Sequence, residues 1–494
     1  MAVRWSACGR VRRGVVRQAL AGKTPPGGKA DDLVVRPGGR RDRRSVCGRS
    51  GWNRAAVTRA VLRVATATAV VLLTSAQCAA PALAVIPPAV DNSLLPPPSP
   101  PAPPQPTQQH EACAVPMSID GADVSATQLR GFDMPAVWRL TRGAGQRVAV
   151  VDTGIAAHRR LPGVIAGGDY VSSGDGRQDC DGHGTAVAGI ISAAPDRTDQ
   201  TGFSGVAPEA TLIAIRQSSN KFGPLTDPST RGFGDVSTLA MAVRTAADMG
   251  ASVINVSSVA CAESLDDRAL GAALSYAVDV KDAVVVAAAG NVGGDGQCPS
   301  QNTTAQPTVI ASPAWYDDYV LTVASVGPGG TPSPFSLNGP WVDVAAPGEH
   351  VISLDPDGDG VIDTMPTPAG QASMSGTSYA TPVVSGLVAL VRSRFPRLSA
   401  RQVMARIETT AHHPAEGWNA AVGNGVVDPL AALSDHTAGT SPPDPRPSAP
   451  PPPSRPAPDR PYGVAATGAA LCLAGLVAAA SVRLRRRQED VPAD

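Results

Sequence analysis

The stretch Gly376-Thr377-Ser378-Tyr379-Ala380-Thr381-Pro382-Val383-Val384-Ser385-Gly386 decides how this chain is read. Beyond Pro382, Val384, Leu387, Val388 and Val391 recur at helical spacing with Ala and Gly between them, the pattern of a helix buried nearly all round. Pro382 fits such a helix only in its first turn, where a missing N–H breaks no ladder bond, so the helix is expected to begin a few residues earlier. Ser378 then lies at the N-terminus, where free backbone N–H groups and the dipole favour a developing negative charge. Taken alone, it is equally a helix-capping serine.

Outward from this stretch, short β-branched runs alternate with helix-length segments: 147–151, 211–215, 253–257, 283–287, 320–326 and 342–345. Near-continuous apolar strands separated in this way predict an α/β domain with a parallel sheet covered by helices on both faces. Chemistry in such sheets gathers at the carboxyl ends of the strands. Asp152-Thr153-Gly154 follows the first run directly, a carboxylate followed by a turn. Asp181-Gly182-His183-Gly184-Thr185 opens a helix expected over 186–191, its glycines allowing close approach of another chain. Ala287-Ala288-Ala289-Gly290-Asn291 ends a buried strand in an amide side chain.

Each of these pieces has an ordinary structural explanation, but they occur in the order Asp, His, Asn, Ser. The segments VAVVDTGI, DGHGTAVAGI, GVAPEATL, AAAGN and GTSYATPVVSG together resemble the signatures of the subtilisin-like (S8) serine proteases over about residues 125–433. That resemblance implies peptide-bond hydrolysis through an acyl-enzyme. Ser378 is the nucleophile, His183 the general base, and Asp152 the group that fixes the imidazole tautomer. Asn291, with the Ser378 N–H, forms the oxyanion hole. The substrate is a protein or peptide, and neither cofactor nor metal is expected.

Length allows more than one domain, but 48 Pro and 50 Gly among 494 residues are unevenly spread. Residues 1–63 carry 16 Lys or Arg against Asp31, Asp32 and Asp42, so the remainder is net acidic and a nucleic-acid partner is not expected. Residues 1–84 are read as a basic leader with a secretory signal, the apolar run from Val64 to Thr74 ending at the small-x-small site Ala82-Leu83-Ala84. The leader is long, and a start near Val57 or Val61 from a non-Met codon would account for that. Residues 85–124 form a Pro-rich extension, a spacer or a strap on the surface, with the globular region starting near Cys113. The peptidase domain is assigned to 125–435 and a Pro-rich linker to 436–462. The uncharged run 463–482 follows, long enough at about 1.5 Å per residue to span a bilayer of roughly 30 Å. Arg483, Arg485, Arg486 and Arg487 place the tail 483–494 in the cytoplasm and the peptidase outside.

Within the family, the N-terminal extension, the Cys180-Asp181-Gly182-His183 sequence, the Pro-rich tail and the apolar C-terminal run resemble the mycosins of actinobacterial type VII secretion. This implies a cell-envelope location and secretion-machine components as partners. A scaffold role in which proteolysis is dispensable is the alternative function. Cys113, Cys180, Cys261 and Cys298 allow three disulfide connectivities that spacing cannot choose between. The resemblance suggests Cys261 with Cys298, both following strands toward one sheet edge, and Cys113 with Cys180. Where subtilases usually carry Ser-Leu-Gly-Gly along the substrate cleft, this chain has Ser257-Ser258-Val259-Ala260-Cys261, which points to a narrower, more selective site. No conventional folded propeptide is expected between the signal and residue 125. The run Asp355 to Asp363 resembles a calcium-loop start but lacks the closing Glu, and is read as a solvated Asp-Gly turn.

Overall fold

A computed structural model describes residues 86–435, except 118–127, 197–201, 228, 231, 294–297, 304–306 and 368–369. The signal, the linker and the apolar C-terminal run lie outside the described residues. Among the described residues no helix is long and apolar enough to cross a membrane.

In chain order the elements that position the site are β1 (Thr107–Gln109), α1 (Met134–Leu140), β2 (Arg147–Asp152), β3 (Ile165–Asp169), α2 (His183–Ser192), β4 (Thr211–Arg216) and β5 (Phe222–Pro224). There follow α3 (Val236–Asp248), β6 (Val253–Val256), β7 (Ala260–Ala262), α4 (Arg268–Ser275), β8 (Val284–Ala288), β9 (Ile310–Ser312), β10 (Val320–Val326) and β11 (Val344–Pro347). Beyond them come α5 (Thr377–Arg394) and α6 (Ala400–Thr409). Seven strands form one parallel sheet in the order β11-β10-β8-β6-β2-β4-β3. The chain leaves β2 for β3 and β4 on one side, then crosses to β6 and beyond on the other. The carboxyl end of β2 is therefore the switch point, where α/β sheets open a crevice.

The six expected strands are present with ends shifted by up to two residues. β3 was not expected, because Ile165-Ala166-Gly167-Gly168-Asp169 lacks the β-branched run that signals a strand. Its glycines answer to neighbours instead: a Cβ on Gly168 would lie 2.3 Å from Pro101.

α5 runs behind the sheet's centre against β6, β8, β10 and β11 and is buried from Tyr379 to Arg392. Val384, Leu387, Val388 and Val391 are each almost fully buried, which stabilises the fold by about 1.5–3 kcal/mol per side chain. Pro382 sits in the second turn, not the first. The carbonyl of Ser378 thereby loses its helical partner. The extra turn exists because the side chain of Asn291 satisfies the first N–H, with Thr377 N–H donating to Asn291 Oδ1 at 2.9 Å.

The globular body does not begin at Cys113. The Pro-rich extension belongs to the same compact unit. β1 pairs antiparallel with β5, Val90 and Leu95 pack on the core, and Arg244 Nη1 donates to the carbonyl of Pro96 at 3.0 Å. The sulfurs of Cys113 and Cys180 are 2.07 Å apart and those of Cys261 and Cys298 2.05 Å, the expected pairing. Ala114 N–H also donates to the carbonyl of Cys180 at 2.8 Å, so the strap is fastened three residues before His183.

Asp355 to Gly360 forms the turn between two short antiparallel strands, with Asp357 N–H donating to Asp355 Oδ1 at 3.0 Å. Among the described residues no group of three or more His, Cys, Asp or Glu is placed to hold a metal ion.

Candidate active site

Asp152 is the last residue of β2, and His183 is the first of α2. His183 Nδ1 lies 2.7 Å from Asp152 Oδ1, with the Asp152 side chain 2% exposed and that of His183 26% exposed. Thr153 N–H donates to the same Asp152 oxygen at 2.8 Å, fixing the carboxylate from its own backbone. The helix can start this close to the turn because residue 184 is glycine. A Cβ there would sit 2.0 Å from the carbonyl oxygen of Gly154. The expected close approach around His183 is therefore of its own helix to the turn that follows Asp152.

With Nδ1 donating to a carboxylate, Nε2 of neutral His183 is left as an acceptor. Burial opposes protonation of the imidazole. The Asp152 charge and hydrogen bond, with the charges of Asp179 and Asp181 behind, outweigh it and hold His183 above its ordinary value of 6.5. That suits a base working near neutral pH.

Asn291 follows β8 after Ala289 and Gly290. Gly290 has φ +108°, a left-handed conformation open to glycine, and a Cβ there would also meet Cys298 Sγ at 2.9 Å and Cys261 Sγ at 3.4 Å. Cys298 N–H donates to the Asn291 carbonyl at 2.8 Å. The Cys261–Cys298 bridge thus packs on the residue before the amide and holds its backbone. The Asn291 side chain is oriented by its bonds: Oδ1 accepts from Thr377 N–H at 2.9 Å and from Thr377 Oγ1 at 3.1 Å, leaving Nδ2 as a donor with no partner among the described residues.

Ser378 is the second residue of α5. A Cβ placed on Gly376 would lie 3.0 Å from Ser378 Oγ, 3.4 Å from Asn291 Nδ2 and 3.7 Å from Ser378 N. One small space, open because residue 376 is glycine, therefore faces the hydroxyl, the amide donor and the backbone donor together. The structure shows no hydrogen bond between Ser378 and His183. Tyr379, the residue after Ser378, has its ring centroid 5.2 Å from that of His183. Burial, followed by the nearby charges of Asp152 and Asp179, pushes the Tyr379 phenol up, so it stays neutral.

Asp152 and His183 thus meet at the carboxyl end of β2, and Asn291 and Ser378 meet beyond that of β8, with Tyr379, next to Ser378, beside His183. Such an arrangement can take a proton from the hydroxyl and place two N–H donors beside an oxyanion. Asn291→Ala is expected to lower kcat about 10²- to 10³-fold with KM little changed, the loss found when one oxyanion donor of subtilisin is removed. Steady-state kinetics on a peptide substrate checks this. An equal loss confined to KM would remove Asn291 from the oxyanion site.

Asp179 escaped the sequence reading. It accepts hydrogen bonds from both the turn after Asp152 and the start of α2. Its signal was an acidic residue shortly before a helix that opens with His-Gly-Thr.

Residues 143–425 match the subtilase family (peptidase S8), and the chain belongs to that family as a serine-type endopeptidase. It is 56% identical over 437 residues to Mycosin-4 of Mycobacterium tuberculosis (strain ATCC 25618 / H37Rv), covering 83% of this chain and 94% of that protein. Within the subtilases it therefore stands among the mycosins. The MycP3 protease from the type VII (ESX-3) secretion system superposes with a TM-score of 0.66 at 44% identity, over 71% of this chain and 100% of that one. A chain of the periplasmic assembly from the ESX-5 inner membrane complex gives a TM-score of 0.67 at 41% identity, over 76% of this chain and 100% of that one.

Proposed function

We propose that this chain is a membrane-anchored serine endopeptidase that cleaves peptide bonds through an acyl-enzyme beside a type VII secretion machine. The observation that carries the chemistry is the space at Gly376, faced by Ser378 Oγ, Ser378 N and Asn291 Nδ2. In this reading Ser378 attacks the scissile carbonyl, His183 takes the hydroxyl proton on Nε2 and later delivers it to the leaving amine, and Asp152 stabilises the imidazolium. The negative charge of the tetrahedral intermediate falls between the two N–H donors. Hydrolysis of the ester then regenerates Ser378.

Anchoring is supported by the apolar run 463–482 with Arg483, Arg485, Arg486 and Arg487 behind it. A relative located in the periplasmic assembly of an inner membrane complex agrees with a peptidase domain outside the cytoplasm. That same relative, a member of an assembly, favours a second reading in which the fold also serves as a scaffold. Ser378 remains the residue on which the first reading turns.

A fluorophosphonate probe tests the chemistry without a known substrate. One adduct per chain is expected, on Ser378. Its rate should rise with pH through a midpoint above 6.5, because only neutral His183 can accept the proton. An adduct on another residue would overturn the assignment.

A further inference from the structure

We propose that Asp179 is a positioning residue of this site, the carboxylate that ties the turn carrying Asp152 to the helix carrying His183. The proposal rests on the reading of Asp152, His183 and Ser378 given above. Asp179 Oδ1 accepts from Thr153 Oγ1 at 2.8 Å, Gly182 N–H at 2.8 Å and Asp181 N–H at 3.2 Å. Its Oδ2 accepts from Thr185 N–H at 2.8 Å and Thr185 Oγ1 at 2.7 Å. Thr153 follows Asp152 directly, while Gly182 and Thr185 flank His183 and Gly184 at the start of α2. One side chain thus bridges the two segments whose relative position sets the contact between Asp152 and His183.

The donors leave little latitude. Thr153 Oγ1 already accepts from Gly184 N–H at 2.9 Å, and Thr185 Oγ1 from Ala156 N–H at 2.9 Å. Both hydroxyl protons are therefore directed at Asp179, which is held as an acceptor on both oxygens. Gly182, the residue before α2, offers no side-chain cap, and Asp179 supplies that service from three residues upstream. Asp181 differs: its carboxylate accepts from Ser219 Oγ and Asn220 N–H and serves a neighbouring loop.

The second consequence is electrostatic. The charged groups acting on the His183 imidazole are Asp152, Asp179 and Asp181, with the neutral Tyr379 ring 5.2 Å from it and Arg216 acting on Asp181. Burial pushes the Asp179 carboxyl up, and the Thr185 and Thr153 donors oppose that rise. While ionised, Asp179 favours the imidazolium. Its loss should therefore slow the reaction and also move the pH midpoint down, a change that loss of stability alone would not produce.

The test measures the rate of fluorophosphonate labelling against pH on the full-length chain, with the thermal midpoint recorded beside it. Asp179→Asn is expected to label Ser378 about 10- to 100-fold more slowly at the plateau, the scale of a small misplacement of reacting groups, with its midpoint at lower pH. Parental rate and parental midpoint in a folded Asp179→Asn chain would overturn the proposal while leaving the Ser378 assignment intact. Failure of the parent to label Ser378 would remove the underlying reading and the proposal with it. Should Asp179→Asn not fold, the Thr185 pair decides: Thr185→Val is expected to react at least about fivefold more slowly than Thr185→Ser, which keeps the hydroxyl. Equal rates in that pair would overturn the proposal.

Discussion

Ser378→Ala is expected to hydrolyse peptides about 10⁶-fold more slowly than the parent while folding as the parent does. The two halves of that expectation have separate causes. Ser378 Oγ makes no hydrogen bond among the described residues, and the residue is only partly buried, so removing the hydroxyl opens no cavity and strands no partner. The stability change should stay within about 0.5 kcal/mol. Catalysis has no substitute nucleophile: the variant keeps the backbone N–H at this position and the Asn291 donor but can form no ester. What survives is the oxyanion and binding contribution, roughly 10³- to 10⁴-fold over water in a site of this kind. Turnover per folded chain, with a thermal melt of parent and variant, checks both halves. The same variant separates enzyme from scaffold. Secretion restored by Ser378→Ala in a deletion strain would show that the fold suffices, whereas loss equal to the deletion would make the hydroxyl the essential part.

Much of this could be read from the chain because its central strands are buried on both faces. Val320 to Val326 was bounded to the residue, since every position of β10 is buried and only the small polar residues Thr322 and Ser325 interrupt the apolar run. The candidate site residues were legible for a related reason: each closes or follows a buried strand or opens a buried helix, and the chemistry restricts the residue type. What was not legible depends on partners distant in sequence. β3 is written in glycines because Pro101 of the strap lies on Gly168 and Ile215 lies against Gly167. The strap was read as a spacer or a surface strap with an expected bond to Cys180, and its pairing with Phe222–Pro224 had no signal in its own residues. Pro382 was placed one turn too early because the Asn291 side chain, 86 residues away, supplies the acceptor that lets α5 start sooner. Asp179 reads as a loop residue until Thr153 and Thr185 are seen to converge on it.

Asp152→Asn should lower kcat/KM by up to roughly 10⁴-fold, and the reason is a lost charge rather than a lost contact. Asp152 Oδ1 accepts from both Thr153 N–H and His183 Nδ1. An asparagine with its carbonyl oxygen at this position keeps both bonds, and its NH₂ then takes the place of Oδ2, which is buried and has no hydrogen-bond partner among the described residues. The tautomer is kept, but a neutral amide no longer stabilises the imidazolium that forms when His183 takes the proton of Ser378. The geometry survives, and the base is weakened. The lost charge has a second signature. Burial opposes the imidazolium and the Asp152 carboxylate outweighs it, so removing that charge returns His183 below its parental position. The raised imidazole contributes stability that is present below its ordinary value of 6.5 and is lost as pH rises through the folded-state value above it. That component should vanish in Asp152→Asn, so melts of parent and variant should differ more at mildly acidic pH than above neutrality. A variant that kept the parental plateau rate would show that the Asp152 charge is not what supports the imidazolium. Asp179 and Asp181 would then be the charges that support it.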